Sequence, residues 1–380
     1  MQRFGRLPLP FVGGKRSSLV WDMGASWEQF ESPMTLEARI QKHLQKLPER
    51  PFWHLPAGTP DFTSNDYLGL IHDGIIRETL QRVPPSLLQG AGASRYLGGD
   101  AEPFHTVEKE ALILWGRPSE AALFFPSGLV ANLSFWSSIP QRDDIVIFDR
   151  EVHASIRQGI RLSGATAWGF PHNDWEAAEA KLRRAPKVPF LVIESLYSMR
   201  GTSPDAQALQ ELAQRYEFHL VVDEAHTTFT LAGGGSWSDI AGLKPLARLF
   251  TFGKAVGLAG AVWIGAPWLI EYLRRVGFGG IYTTALPPFV AWAIADILRR
   301  SPEWEDRRTY LEALVSKVKA VLEARGIPYQ GLQGPIALLY TEPSPLPLKK
   351  LYPPTVSKPA YRLSLHAHNT IEEVRQIFGW

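Results

Sequence analysis

The sequence predicts an α/β protein: a mostly parallel central sheet with helices on both faces, plus a smaller α+β C-terminal domain. Three observations predict it. Short, nearly all-apolar runs alternate with helical stretches from residue 121 to residue 276. Several of those runs hand over at once to glycine or polar residues, as strands do at the ligand-binding edge of a parallel sheet. After Pro287-Pro288 the rhythm changes to long helices, a proline-rich stretch, and a closing strand and helix.

The candidate strands are Ala121–Phe125, Asp144–Phe148, Phe190–Glu194, His219–Val222, Arg248–Phe252 and Ala261–Ile264. They are too apolar to have a wet face, which suits strands covered on both sides. The helices between and after them are Gly128–Ser138, Trp175–Arg184, Ala206–Tyr216, Pro267–Val276, Phe289–Arg300 and Glu303–Arg325. A strand over Tyr361–His366 and a helix over Thr370–Phe378 close the chain. We read residues 65–286 as a large domain, 287–380 as a small one, and 1–64 as an N-terminal segment. Residues 1–33 mix Arg, Gly and Pro without period, whereas Met34 precedes a good amphipathic helix opening. One reading is that translation starts at Met34.

Composition excludes several function classes. Of 380 residues, 45% are hydrophobic and 21% charged, an ordinary globular balance that argues against long disorder. A net charge of +2 gives no reason to expect nucleic acid or an acidic membrane as partner. No apolar stretch approaches the ~20 residues that span a bilayer. With no cysteine, neither disulfides nor thiolate metal sites can hold the chain together. A soluble, cytoplasmic protein is expected.

The chemistry stands where strands end. Phe125 leads into Pro126-Ser127-Gly128-Leu129, a turn opening a helix whose free N–H groups suit a phosphate; an ordinary helix cap would look the same. His153 follows the second strand and could lie flat on a heteroaromatic ring, although a lone histidine is usually structural. Glu194 ends another strand, followed by Ser195 and Ser198; an ST-turn is the simpler alternative. Asp223 ends Leu220-Val221-Val222, where a buried carboxylate is costly unless paired. A protonated pyridine nitrogen would pair it. His226 could reach the ring oxygen or the substrate. Asp223 and His226 without further ligands are a weak metal signal, and no metal is expected. Lys254, in Thr251-Phe252-Gly253-Lys254, could hold a cofactor aldehyde once burial and nearby positive charge lower its pKa. Together these residues point to pyridoxal 5'-phosphate.

The chain resembles the α-oxoamine synthases, fold-type I pyridoxal phosphate enzymes. The resemblance runs through Ser64–Leu70, Gly90–Arg95, His105–Glu108, Ser127-Gly128, His153–Ser155, Glu194–Met199, Asp223–His226, Thr251–Lys254 and Ile281–Pro288. It implies that Lys254 binds the cofactor and acts as base, Asp223 holds the pyridine nitrogen and His153 stacks on the ring. It further implies that His226 meets the phenolic oxygen with Ser198 and Glu194 close by, and that Gly128, Leu129 and Thr251 contact cofactor and phosphate. Thr283 or Thr284 would reach the phosphate of a neighbouring subunit, making an obligate homodimer. Arg362 would take the amino-acid carboxylate, a task suited to a planar guanidinium. Asn65, Thr355 and Arg50 would lie near the substrate.

The resemblance implies a decarboxylating condensation of an amino acid with an acyl thioester, carried by coenzyme A or an acyl carrier protein. Ile281–Thr284, Pro353–Val356 and Phe170–Asp174 are similar to the members that join L-alanine to a pimeloyl thioester in biotin biosynthesis. Members making aminolevulinate, 2-amino-3-ketobutyrate or sphingoid ketones are the alternative. Three departures stand out. Thr227-Thr228-Phe229 replaces a small residue and a glycine, Arg50 maps only loosely onto the family's N-terminal arginine, and Pro343–Leu348 replaces about one helix. Phe229 is expected either to narrow the acyl channel or to fill core. A catalytically silent binding domain is disfavoured by the joint presence of Lys254, Asp223, His153 and Arg362. A nicotinamide dehydrogenase is disfavoured because Gly233–Gly235 and Gly90-Ala91-Gly92 do not fit a strand–Gly-x-Gly-x-x-Gly–helix unit.

Overall fold

A computed structural model describes residues 35–47, 52, 54–341, 348–351 and 360–377. Met34, Arg50 and Thr355 lie outside the described residues, as do residues 1–33 and most of Pro343–Leu348. The chain forms two units, Met1–His54 and Leu55–Trp380. Within the first, the helix Leu36–Leu44 is capped by the Thr35 hydroxyl, which accepts from the Ala38 N–H. None of its residues is buried.

The second unit is built on a seven-stranded sheet: β1 (Ala121–Phe125), β2 (Ile145–Asp149), β3 (Thr166–Phe170), β4 (Phe190–Glu194), β5 (His219–Asp223), β6 (Ala247–Thr251) and β7 (Ala261–Gly265). Their order is β1-β7-β6-β5-β4-β2-β3. The pairs from β6 through β3 are parallel, and β7 runs antiparallel to both of its neighbours. Alternate residues serve opposite faces. Ile145, Ile147, Leu191, Ile193, Leu220 and Val222 pack on one side, under the helices Trp175–Arg184 and Ala206–Arg215. Val146, Val192, Val221 and Leu249 pack on the other, against Gly128–Ser138, Ala154–Ser163 and Pro267–Val276. Burial on both faces is why these strands carry no polar alternation.

The six strands expected from sequence are present, with ends shifted by at most one residue. A seventh, β3, was not anticipated. It is an edge strand, half exposed and interrupted by Gly169, so it lacks the apolar run that marks the others.

A second sheet holds β8 (Tyr329–Gly331), β9 (Ile336–Leu339), β10 (Lys349–Leu351) and β11 (Ala360–Ser364), all antiparallel, in the order β10-β11-β9-β8. The long helices Pro288–Arg299 and Glu305–Ala324 share a core with it. Two features bring this sheet to the carboxyl edge of the larger one. The Ser364 and Ala367 amides donate to the Phe62 and Tyr67 carbonyls, at 2.9 and 2.8 Å, holding segment 62–67 beside β11. The turn after β4 presses on the β8–β9 connection, where Gly201 (φ +67°) leaves no space for a Cβ against the Ile336 carbonyl.

Gly201→Ala therefore combines left-handed strain with a backbone clash and should cost at least ~3 kcal/mol. Gly326→Ala, also at positive φ but in open space, should cost only ~1 kcal/mol. Urea unfolding of both variants checks the contrast.

Candidate active site

Every strand of the parallel set ends at one edge, and a cavity of about 350 Å³ opens there. Asn65, Gly128, Leu129, His153, Glu194, Asp223, His226, Thr251 and Lys254 line it. Glu194 and Asp223 are register partners at the ends of β4 and β5. Lys254 follows β6 by three residues, and His153 follows β2 by four.

Asp223 is buried on the face of the sheet covered by Gly128–Ser138. Its Oδ2 accepts from the Asn132 amide at 2.9 Å and its Oδ1 from the Ala225 N–H at 3.0 Å. Those two bonds hold the carboxylate rigid and leave it lone pairs for a further N–H. Asn132 also donates to the Ser155 hydroxyl at 3.1 Å, linking two helix starts beneath the cavity. Sequence reasoning gives Asn132 no role. An amide at the fifth position of a helix whose first four residues are apolar is the signal that marks it.

The Ser127 hydroxyl caps the helix Gly128–Ser138 by accepting from Val130. The amides of Gly128 and Leu129 have no acceptor among the described residues. A Cβ at Gly128 would stand 2.7 Å from the Thr251 methyl, so only glycine lets Thr251 sit against this turn. The Thr251 hydroxyl is buried without a partner. Orphan amides at a helix start beside an orphan hydroxyl suit a phosphate. With the Asp223 carboxylate and the half-buried Lys254 amine, the donor set fits pyridoxal phosphate.

Electrostatics agree with that fit. Burial lowers the Lys254 pKa to about 8, Asp223 and Glu194 opposing and Arg362 assisting. Burial pushes Glu194 up to about 8, helped by the Asp223 charge. Burial also lowers both histidines, His153 against the pull of Asp223 and His226 with Lys254 and Arg362 adding to the effect. The His153 N–H donates to Glu194, and its ring caps the next helix by accepting from the Ser155 N–H.

The remaining expected residues lie elsewhere. Arg362, on β11, does not line the cavity. Its Nε donates to the Ser198 carbonyl at 2.8 Å, Nη1 to the Ser364 hydroxyl at 2.6 Å, and Nη2 to Asn65 Oδ1 at 3.0 Å. It thus stands behind Asn65, and Ser198 contributes through its carbonyl. Thr283 lines a separate cavity of about 390 Å³ with Arg95 and Phe125, and Thr284 is exposed on the same segment. Phe229 is wholly buried in the core, its ring 4.7 Å from the Arg308 guanidinium and its carbonyl accepting from Arg308. Of the two expected roles it takes the core-filling one. Its φ of +68° keeps the left-handed backbone that a glycine would adopt. His172 binds Asp149 and Thr202 outside the cavity.

Residues 60–358 match the family model "Aminotransferase class I and II". The chain belongs to that family, in its α-oxoamine synthase branch. An 8-amino-7-oxononanoate synthase of Chromobacterium violaceum is 38% identical over 274 residues, 71% of this chain and 70% of that one. The solved 8-amino-7-oxononanoate synthase of Francisella tularensis is 25% identical with a TM-score of 0.73, covering 85% of this chain and 96% of its own. A serine palmitoyltransferase of Sphingomonas wittichii has the same identity and a TM-score of 0.78, covering 84% and 86%. Among the described residues of this α-oxoamine synthase, no helix is long and apolar enough to cross a membrane.

The lowered lysine value has a kinetic consequence. If Lys254 is the amine that takes up pyridoxal phosphate, uptake by apoprotein needs it neutral, so the rate should rise about tenfold per pH unit and level off near pH 8. Stopped-flow absorbance checks this; a rate still climbing toward the ordinary 10.5 would contradict the burial account.

Proposed function

We propose that this protein condenses L-alanine with a pimeloyl thioester, releasing carbon dioxide and thiol to give 8-amino-7-oxononanoate. The observation that carries the reaction class is the half-buried Lys254 in one cavity with Asp223, the start of the helix Gly128–Ser138 and the orphan Thr251 hydroxyl, with Arg362 one residue behind the cavity wall. It is a pyridoxal-phosphate-dependent acyltransferase. The substrate pair is supported by relatives of that name at 35 to 38% identity over about 70% of the chain. It is also supported by the segments Ile281–Thr284, Pro353–Val356 and Phe170–Asp174.

When bound, the cofactor withdraws electrons from the alanine Cα. The chain's residues do the rest. Asp223 keeps the pyridine nitrogen protonated, and His153 covers one ring face. The Gly128 and Leu129 amides with Thr251 hold the phosphate. Arg362 receives the alanine carboxylate, with Asn65 beside it. Lys254 Nζ takes the α-proton, and its low pKa suits it to do so near neutral pH. The nucleophilic Cα bonds to the thioester carbonyl carbon and the thiolate departs. The carboxylate leaves as carbon dioxide, and a proton returns to Cα.

The working unit in this reading is a homodimer. Thr283 and Thr284 stand outside their own chain's cavity, next to Tyr282, which is 82% exposed, and Phe278, 44% exposed. A second copy covering that apolar segment would place a threonine hydroxyl at the phosphate.

Thiol release from a panel of alanine, glycine and serine against acetyl, pimeloyl and palmitoyl thioesters tests the substrate pair. Alanine with pimeloyl should exceed the others in kcat/KM by at least ~10-fold. Equal or greater activity with serine and palmitoyl would sink it. Lys254→Ala should lower kcat by at least ~10³-fold while leaving the fold intact.

A further inference from the structure

His153 caps the helix Ala154–Ser163 with its ring, Nδ1 accepting from the Ser155 N–H at 3.3 Å. The Ser155 hydroxyl lies 2.7 Å from the same nitrogen. Ser155 is buried, and its hydroxyl oxygen accepts from the Asn132 side-chain amide at 3.1 Å. That amide nitrogen also donates to Asp223 Oδ2 at 2.9 Å. One line of contacts therefore joins the carboxylate at the end of β5 to the histidine after β2. The other nitrogen of His153, Nε2, has no hydrogen-bond partner among the described residues, and the ring lines the cavity.

Among the described residues, each hydrogen in this line has one place to go. Asn132 Nδ2 carries two, and its contacts to Asp223 and Ser155 use both. Turning the amide over would set its oxygen against Asp223 Oδ2, acceptor to acceptor. Asn132 Oδ1 is buried without a partner, so the two N–H bonds alone hold the orientation. The Ser155 oxygen accepts from Asn132, and its own proton is left for His153 Nδ1. The Ser155 backbone N–H meets that nitrogen as well. Two donors converge on Nδ1, so it is bare, and the neutral ring carries its hydrogen on Nε2. A proton on Nδ1 would face the Ser155 N–H and leave the buried hydroxyl proton without an acceptor.

We propose that Ser155, oriented by Asn132, is a positioning residue that holds His153 neutral as the Nε2–H tautomer. The inference rests on the pyridoxal phosphate reading, under which His153 covers the cofactor ring. A neutral imidazole stacks on a ring whose nitrogen is protonated, whereas an imidazolium is repelled by it. Titratable groups face His153 from several elements. Glu194 at the end of β4 accepts its backbone N–H, Asp223 ends β5 with His226 three residues on, Lys254 follows β6, and Arg157 lies on the helix that His153 caps. Desolvation lowers the His153 pKa, with Lys254 and Arg157 adding to the effect and Asp223 opposing it. The Ser155 hydroxyl works against the pull of Asp223, and the amide that orients it is anchored on that same carboxylate.

A donor at Nδ1 favours the neutral ring, so its loss in Ser155→Ala should raise the His153 pKa by about one pH unit, the equivalent of one hydrogen bond. A ¹⁵N titration of histidine-labelled apoprotein measures it, the His153 signals being those missing from His153→Asn. Above its midpoint the parent should show His153 protonated at Nε2 alone. In an Asn132→Leu background, where the hydroxyl is free to turn, the shift caused by Ser155→Ala should shrink. With cofactor added, the Kd of Ser155→Ala for pyridoxal phosphate should exceed the parent's by about tenfold below both midpoints and match it above them.

An Nδ1–H His153 in the parent, a pKa unmoved or lowered in Ser155→Ala, an undiminished shift in the Asn132→Leu background, or a Kd ratio flat with pH would each overturn the proposal. A merely structural serine would lower thermal stability without moving the His153 pKa. The parent tautomer needs no variant and decides the matter should Ser155→Ala fail to fold. Failure of the parent to bind pyridoxal phosphate at all would instead defeat the underlying reading, leaving the tautomer and pKa results of the apoprotein to stand alone.

Discussion

Two carboxylates, Glu194 and Asp223, end adjacent parallel strands in register and are both buried. Like charges so placed in a low-dielectric interior cannot both ionise without help. The rest of the site follows from that constraint. Asp223 receives two N–H donors, while Glu194 is driven toward the neutral form. Lys254 enters the same enclosure and finds charge costly, which leaves its amine free to react. A sheet that ended in apolar residues would bury more comfortably but would have nothing with which to hold a cationic ring.

Much of this was legible because chemistry at a strand end interrupts an apolar run. Asp223, Glu194, Thr251 and His153 each do so, and each lines the cavity. Strand limits were less legible: a continuous apolar run has no internal mark of where pairing stops, so Arg248–Phe252 became Ala247–Thr251. Asn132 and Tyr67 were visible as letters but not as partners. Their contacts to Asp223 and His226 span 91 and 159 residues of chain, a distance no local pattern encodes. The sequence likewise offered two fates for Phe229, and only packing against Arg308 decides between them.

Arg362 illustrates the difference between a residue's identity and its placement. Its type matched a carboxylate-binding role, but three of its five N–H groups already hold Ser198, Ser364 and Asn65. Those bonds fix the plane of the guanidinium and choose which edge faces a ligand. The arginine is thus preorganised by the loop after β4, by its own strand and by segment 62–67 at once.

That shared anchoring bears on how the protein can be recombined. Gly201 and Gly331 leave no room between the turn after β4 and the β8–β9 connection, and segment 62–67 is bonded to β11 through Ser364 and Ala367. A graft of the C-terminal sheet from a relative would carry Arg362 but meet a foreign turn and a foreign Asn65 segment. The transferable module is therefore discontinuous: residues 62–67, 194–202 and the small sheet move as one cassette or not at all.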